Sequence, residues 1–208
     1  MRLTEKNIND LNRVKRLNLI NGVSGIKSAN LIGTYSRSNT NLAIISSVVH
    51  IGSDPALLGF IMRPSSEVKR DTLNNIESNG YFTINHIHES IIEKAHYTSA
   101  KIDSKISEFD VCSLTEEYLG DFPAPFVQEC HLKMGLKFAE KVEIKSNGTS
   151  MIIGELKELI IPDECIDDRG YIRLDRIFTV GIGGLNSYYN LKRITTLPYA
   201  RPNEIPKF

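Results

Sequence analysis

The stretch MRPSSEVKRDTLNNI, from Met62 to Ile76, concentrates hydroxyl and cationic side chains just before a predicted helix. Backbone N–H groups at a helix N-terminus, hydroxyls and arginine forks all hold phosphate well. The alternative is a serine-capped helix with Glu67 in its first turn and basic residues facing solvent. On these residues alone both interpretations stay open. The candidate ligands of an anion are Arg63, Ser65, Ser66, Lys69, Arg70 and Thr72.

Other patterns that carry chemistry are weak or absent in the sequence. GIGGLNSYY, from Gly181, lacks the GxGxxG spacing of a Rossmann site, and no GxxxxGK[ST] loop or HExxH motif occurs. The Ser46–Ser47 pair lacks the GxSxG elbow of a hydrolase. His86 and His88 would share one face of a strand, but two ligands do not complete a metal site. The sequence therefore disfavours Rossmann-type NAD binding, hydrolysis and metal catalysis.

Composition and charge narrow the class of protein further. The 208 residues include 25 basic and 25 acidic side chains, so no global basic field would attract nucleic acid. The cysteines Cys112, Cys130 and Cys165 form no CxxC pair, which argues against a disulfide framework and predicts buried, inert thiols. No signal core occurs, and no apolar run approaches the roughly 18 residues that span a bilayer. We expect a cytoplasmic protein without a membrane segment.

The apolar pattern predicts mostly strands and few helices. Ile8, Leu11 and Val14 recur at near-helical spacing, which predicts an N-terminal helix over about 4–17 with Thr4 as its N-cap. A second helix follows Pro64 and stops at Gly80, and SIIEKAHY is a third, short one. The predicted strands are ANLIGTY, LAIISSVVHI, ALLGFIM, YFTINHI, CHLKMGLKF, the two arms of KVEIKSNGTSMIIGEL, and YIRLDRIFTV.

The arrangement of these elements favours an antiparallel sheet. CHLKMGLKF alternates apolar and polar residues with period two, and Asn147-Gly148 suits a tight type I′ hairpin turn. Strands and helices do not alternate regularly, so a closed antiparallel barrel fits better than a parallel α/β fold. No linker divides the chain. We expect one domain over 1–208 with a C-terminal extension from about 186 to 208.

The order of the segments resembles the flavin reductase-like family of FMN-binding split barrels. The likeness spans roughly Arg16 to Pro202. It implies a mainly β fold, a six-stranded antiparallel Greek-key split barrel with flanking short helices, and a homodimer with FMN near the subunit interface. The segments that carry it are LIGTYSRSNTNLAIISSVVHIGSDPALLGFIMRP, RDTLNNIESNGYFTIN, KAHYTSAKIDSKISEFD, APFVQECHLKMGLKF and IGGLNSYYNLKRITTLPYARP.

The resemblance also implies which residues hold the FMN. AIISSVV corresponds to the strand and loop beside the isoalloxazine ring, which assigns Ser46, Ser47 and Val48 to the ring edge and ribityl chain. Ser99, in HYTSAK, matches a loop that closes on the cofactor, and Asn85 is expected to be structural. The opening stretch becomes the phosphate site, with Arg63, Ser65, Arg70 and Thr72 ahead of Ser66 and Lys69.

The function that the resemblance implies is FMN-dependent reduction of flavin or another small acceptor, with NAD(P)H as the electron donor. Because the flavin accepts the hydride at N5, no catalytic side chain has to be assigned. Two alternatives stay open: a flavoredoxin-like carrier that keeps its FMN and exchanges electrons with a protein partner, and a β-barrel that binds another phosphorylated ligand or has lost its cofactor. None of the three involves nucleic acid or a membrane.

Overall fold

Antiparallel strands dominate the computed structural model of the chain, which describes residues 1–64 and 71–206. The strands are β1 (Ile26–Ser28), β2 (Asn30–Tyr35), β3 (Thr40–Ile45), β4 (Val49–Ser53), β5 (Ala56–Met62), β6 (Tyr81–His86), β7 (Glu116–Glu117), β8 (Phe126–Val127), β9 (Lys133–Ile144), β10 (Thr149–Ile160), β11 (Val180–Gly183) and β12 (Ser187–Asn190). The α-helices are α1 (Glu5–Asn9), α2 (Arg13–Gly22), α3 (Asp71–Asn79), α4 (Ile92–Tyr97) and α5 (Glu108–Val111). None of these helices is both long and apolar enough to cross a bilayer.

Seven strands form one antiparallel sheet in the order β3-β2-β6-β9-β10-β5-β4. In a flat sheet its two outermost strands would lie about 29 Å apart, at roughly 4.8 Å per strand. Yet β3 and β4 are consecutive in the chain, and the four Cα steps from Ile45 to Val49 span at most about 15 Å. The sheet must therefore curl until its edges meet, which produces the barrel.

The two faces of the curled sheet bury different apolar clusters. Inside the barrel, Phe60 and Phe82 meet edge to face with ring centroids 5.7 Å apart. Around them pack Ile32, Met62, Leu73, Ile76, Ile84, Met134, Leu136 and Ile152. A second cluster lies on the outer face, where Phe109 of α5 and Ala95 of α4 pack against Leu31 and Leu42. Strands at the centre of the sheet are therefore covered on both faces.

A short sheet in the order β1-β11-β12 accompanies the barrel and is linked to it by a bridge between His88 and Thr179. Gly181 allows β1 to approach β11 closely, since a Cβ there would lie 2.2 Å from the Ile26 side chain. The three cysteines are buried and free, so the prediction of buried thiols is confirmed. Burial raises the pKa of the Cys130 thiol and keeps it protonated.

The N-terminal segment differs from the single helix predicted over about 4–17. Thr4 does cap a helix, and reciprocal hydrogen bonds join Thr4 and Asn7, but that helix ends at Asn9. Asn12 then caps a second helix by accepting a hydrogen bond from Lys15 N at 2.9 Å. Neither helix buries a residue, so local capping rather than core packing decides where each begins.

Three other predictions about local structure were wrong. The run YIRLDRIFTV is not a strand, because backbone bonds from Arg176 and Ile177 back to the Arg173 carbonyl make it a turn. The run LAIISSVVHI is two strands, separated at Ser46–Val48. The β9–β10 hairpin has a four-residue turn at 145–148, in which only Gly148 has positive φ, rather than a two-residue turn.

The predicted alternation of buried and exposed side chains along β9 is also incomplete. Lys133 occupies a polar position of the pattern but is buried, because β9 is central in the sheet and both of its faces are covered. Its ammonium group donates to the Glu117 carboxylate and, at 3.2 Å, to the Gln128 carbonyl. These partners replace the water that the charge has lost.

Candidate functional site

The crossover Ser46–Val48 lies where the barrel closes. Ser47 connects this crossover to β5. The Ser47 hydroxyl accepts a hydrogen bond from Ile61 N at 3.0 Å and donates one to Ile61 O at 3.3 Å. Val48 packs against the interior cluster of the barrel. Among the described residues, no backbone–backbone hydrogen bond involves 46–48. The crossover is thus held in place while its N–H and C=O groups stay available to a ligand.

A cleft of about 310 Å³ opens beside the end of β5, two residues beyond the Ile61 contact. Ser150 pairs with Met62, which brings the β9–β10 hairpin next to Arg63. The other side of the cleft is formed by the start of α3 through Leu73. The remaining lining residues are Pro64, Lys141, Glu143, Ile144, Lys145, Gly148 and Thr149.

The charge of this cleft is positive. It is lined by the cations Arg63, Lys141 and Lys145 and by one carboxylate, Glu143. Lys141 forms an ion pair with Glu77 at 2.8 Å, which raises the pKa of Lys141 and offsets part of the positive charge of the cleft. Arg63 and Lys145 remain, and arginine and lysine bind anionic groups such as phosphates and carboxylates through charge-assisted hydrogen bonds.

A polar network fixes the start of α3 against β3. The Thr72 hydroxyl donates to Asn41 Oδ1 at 2.9 Å, and Asn41 Nδ2 donates to Glu108 Oε2 at 2.7 Å. The same Glu108 oxygen accepts from Leu42 N at 2.9 Å. Thr72, predicted to contact phosphate, is buried, and its donor proton is used within the protein. It therefore positions the helix, and only its lone pairs stay open to a ligand.

The end of α4 forms a further wall near the crossover. Thr98 is buried, accepts a hydrogen bond from Ile44 N at 3.0 Å and donates to Ala95 O at 2.8 Å. Ser99 follows it on the surface, and its hydroxyl donates to His96 O at 2.7 Å. The loop of Ser99 thus begins beside the last residues of β3, close to Ser46.

The structure brings Ser46, Ser47, Val48 and Arg63 to one end of the barrel, with Thr72 and Ser99 on adjoining walls. The predicted residues Ser65, Ser66, Lys69 and Arg70 lie outside the described residues. The sequence analysis missed Lys141, Lys145 and Thr98. Lys141 and Lys145 lie 78 and 82 positions after Arg63 in the sequence, and the register of β10 with β5 brings their hairpin to Arg63.

The two histidines considered for metal binding, His86 and His88, have different surroundings. His88 stacks on His131 with ring centroids 4.6 Å apart, and its Nε2 lies 2.8 Å from the Glu129 carbonyl. Across 1–64 and 71–206, no group of three or more His, Cys, Asp and Glu side chains could hold a metal ion. His86 faces Asn30 across β2 and β6, and neither His86 Nδ1 nor Asn30 Oδ1 has a partner among the described residues. Burial lowers the pKa of His86 to about 4.

Comparisons with known proteins identify the family and the fold of the chain. Residues 26–175 match the sequence model of the flavin reductase like domain. A split barrel domain protein from Shewanella frigidimarina NCIMB 400, provisionally assigned as a flavin reductase, has 46% identity and a TM-score of 0.92, covering 96% of this chain and 100% of its own. The predicted split-barrel fold is thereby confirmed, with seven strands in the main sheet rather than six.

Two more distant structures share the fold. The 2-nitrobenzoate 2-nitroreductase of Pseudomonas fluorescens has 20% identity and a TM-score of 0.80, covering 100% of this chain and 99% of its own. The flavoredoxin of Desulfovibrio vulgaris (Miyazaki F) has 21% identity and a TM-score of 0.72, covering 84% of this chain and 92% of its own. A search among curated proteins gave no significant match.

Stability should fall as His86 is forced to take a proton. Its pKa is about 4 in the folded protein against 6.5 unfolded, so the unfolded state binds a proton first as the pH drops through this range. The free energy of unfolding should therefore decrease by about 2 kcal/mol between about pH 7 and about pH 5 from this group alone. Urea unfolding should show that the free energy of unfolding of His86→Gln depends less steeply on pH than that of the unaltered protein. Equal slopes in the two proteins would refute the assignment.

Substitution of each serine of the crossover should show which of the two stabilises the fold. Ser47→Ala leaves Ile61 N without its partner and should lower the free energy of unfolding by about 1–2 kcal/mol. Ser46 makes no side-chain hydrogen bond to the described residues, so Ser46→Ala should change stability by less than about 0.5 kcal/mol. Chemical denaturation of both variants measures the difference, and a larger loss for Ser46→Ala would show that the crossover is anchored differently.

Proposed function

Because this chain belongs to the flavin reductase like domain family, we propose that it is an FMN-dependent oxidoreductase that uses NAD(P)H to reduce flavin or another small acceptor. The observation that carries the proposal is the positive cleft next to the crossover Ser46–Val48. FMN combines a flat ring rich in hydrogen-bonding groups with a terminal phosphate, and the two features of the site match these two parts.

The described residues fit FMN in the following way. Arg63 and Lys145 would supply cations for the phosphate, with Lys141 beside them in its ion pair with Glu77. The backbone of 46–48, free of hydrogen bonds to other described backbone groups, supplies donors and acceptors for the ring edge. Ser65, Ser66, Lys69 and Arg70 join Arg63 in the proposed phosphate site on the strength of the sequence, since they lie outside the described residues.

FMN, when bound, supplies the group that accepts and passes on a hydride at N5. The residues of this chain would bind the FMN and orient its ring. Ser47 holds the crossover against β5, Thr98 holds α4 against β3, and Thr72 holds α3 against β3. These hydrogen bonds fix the three walls of the site relative to one another, so the ring would be held in one orientation toward the electron donor.

Anaerobic reduction tests the proposed activity. The FMN-loaded protein should be bleached by NADH or NADPH, and with excess free flavin it should turn over many times. A flavoredoxin-like carrier would instead keep its flavin through gel filtration and accept electrons once per bound FMN. Failure of both nucleotides to reduce the bound flavin would overturn the proposed electron donor, and absence of turnover with free flavin would overturn flavin as the acceptor.

The affinity for FMN should fall when a single arginine of the proposed phosphate site is replaced. Arg70→Ala removes a proposed charge-assisted contact worth roughly 1.5–3 kcal/mol, so FMN affinity should fall about ten- to a hundredfold. Arg13→Ala, which removes an exposed arginine from α2, is the matched control and should bind FMN normally. Flavin fluorescence titration gives both dissociation constants. Unchanged affinity in Arg70→Ala, with normal thermal unfolding, would place Arg70 on a solvated helix face.

A further inference from the structure

A second cavity, of about 230 Å³, lies between the β2–β3 turn, one side of α3 and the segment 104–108. It is separate from the cleft beside Arg63, because none of the described residues lines both. Except for Ile106, every described residue that lines this second cavity is polar. A ligand in it would therefore be held by hydrogen bonds rather than by the apolar contacts that dominate most ligand pockets.

One chain of hydrogen bonds fixes the orientation of the amides beside this cavity. An ionised carboxylate only accepts, so Asn41 directs its Nδ2 to Glu108 Oε2, at 2.7 Å. Asn41 Oδ1 then accepts from the Thr34 hydroxyl at 3.2 Å. Because Thr34 has given its one proton to Asn41, it accepts from Asn75 Nδ2, at 3.2 Å. The chain of bonds thus fixes which atom of the Asn75 amide is used within the protein, and the atom left over is its oxygen, Oδ1.

Two oxygen acceptors of the lining are left without a protein donor. Asn75 is only 9% exposed, and no hydrogen bond from the described residues reaches its Oδ1. Glu108 Oε2 accepts from Asn41 and Leu42, whereas no donor among the described residues reaches Glu108 Oε1. Both side chains line the cavity. Since an unpaired acceptor on a buried side chain is costly, these two oxygens are placed to accept hydrogen bonds from a ligand.

The charges around the cavity favour a neutral ligand. The carboxylates of Asp71 and Glu108 would repel an anion, and the ammonium group of Lys105 would repel a cation. A sugar ring with two adjacent hydroxyls suits this mixture, because each hydroxyl donates one proton and also accepts. Its protons would meet the two open oxygens, and its lone pairs would meet Lys105 and the Ser104 hydroxyl. A carboxylate that accepts from a ribose hydroxyl is a known way to bind a nucleotide.

From these observations we propose that this cavity binds the vicinal diol of a ribose, with Asn75 Oδ1 and Glu108 Oε1 as the acceptors. At about 230 Å³ the cavity is smaller than the roughly 300–1,000 Å³ of pockets for drug-sized ligands, so it suits a sugar ring and not a whole dinucleotide. The ribose belongs either to a free nucleoside or to the nucleotide that donates electrons. Only the second source rests on the proposed function.

The cavity shares one helix with the candidate functional site. Asn41, which carries the hydrogen bonds to Glu108, also accepts from Thr72 at the start of α3. Asn75 lies three residues farther along α3, a rise of about 4.5 Å. A ribose in the cavity would therefore lie about one helical turn beyond Thr72, on the side of α3 that faces the β2–β3 turn.

Calorimetric titration of the full chain with adenosine and with 2′,3′-dideoxyadenosine tests the proposal. The two probes differ only in the two ribose hydroxyls, so adenosine should bind at least about tenfold more tightly. Saturating FMN keeps both probes out of the proposed flavin site, and a repeat without FMN should give the same ratio. The result thus stands apart from the success or failure of the FMN proposal. Equal affinities for the two probes, or no binding of adenosine, would overturn the ribose site.

Glu108→Gln tests one of the two acceptors with little change to the fold. The glutamine carbonyl takes over the bonds from Asn41 and Leu42, so an amide N–H₂ replaces Oε1 at the cavity. The preference for adenosine should fall at least about fivefold, and Asn75→Ala should lower it as well. Glu164→Gln, at an exposed glutamate outside the cavity, should leave the preference unchanged. An unaltered preference in both Glu108→Gln and Asn75→Ala would refute the assignment.

Competition with NADH identifies the source of the ribose. The flavin-free chain is saturated with adenosine and then titrated with NADH. Displacement of adenosine by NADH would assign the diol to the electron donor, and simultaneous binding of the two would assign it to a free nucleoside. Displacement that is lost in Asn75→Ala and kept in Glu164→Gln would place the competition in this cavity.

Discussion

The three-residue crossover from Ser46 to Val48 is the constraint on which the rest of the structure depends. It joins the two outermost strands of a seven-stranded sheet, so the sheet has to curl into a barrel. It also leaves three residues without backbone pairing to other described residues at the point of closure. The shortness of one connection thus determines both the fold and the place where polar backbone groups are available to a ligand.

The β9–β10 hairpin, α3 and α4 form the walls of the site, and the pairing of strands in the closed barrel positions them. The ladder between β10 and β5 carries the β9–β10 hairpin, with Lys141 and Lys145, to Arg63 at the end of β5. Side-chain hydrogen bonds then fix α3 and α4 against β3. These bonds are half-buried, where an unsatisfied partner is costly, so the loss of any one of them should be destabilising.

Much of this could be predicted from the sequence, because strand patterns and segment order are local properties. ANLIGTY and ALLGFIM are strands, Gly80 ends α3, and the family and split-barrel fold are as expected. The predictions that were wrong concern residues whose structure depends on tertiary context. YIRLDRIFTV has a strand composition but is turned by its own backbone bonds, and Lys133 is buried because a central strand has no solvent face. The cations of the hairpin could not be foreseen without the register of β10.

We propose that the closed end of the barrel binds FMN. Calorimetric titration of the flavin-free protein with FMN and, separately, with FAD tests it most directly. A single compact cluster of cations, with no second Gly-rich pyrophosphate loop in the sequence, predicts one FMN per chain and weaker binding of FAD. Tighter binding of FAD, or no saturable binding of FMN, would contradict the account.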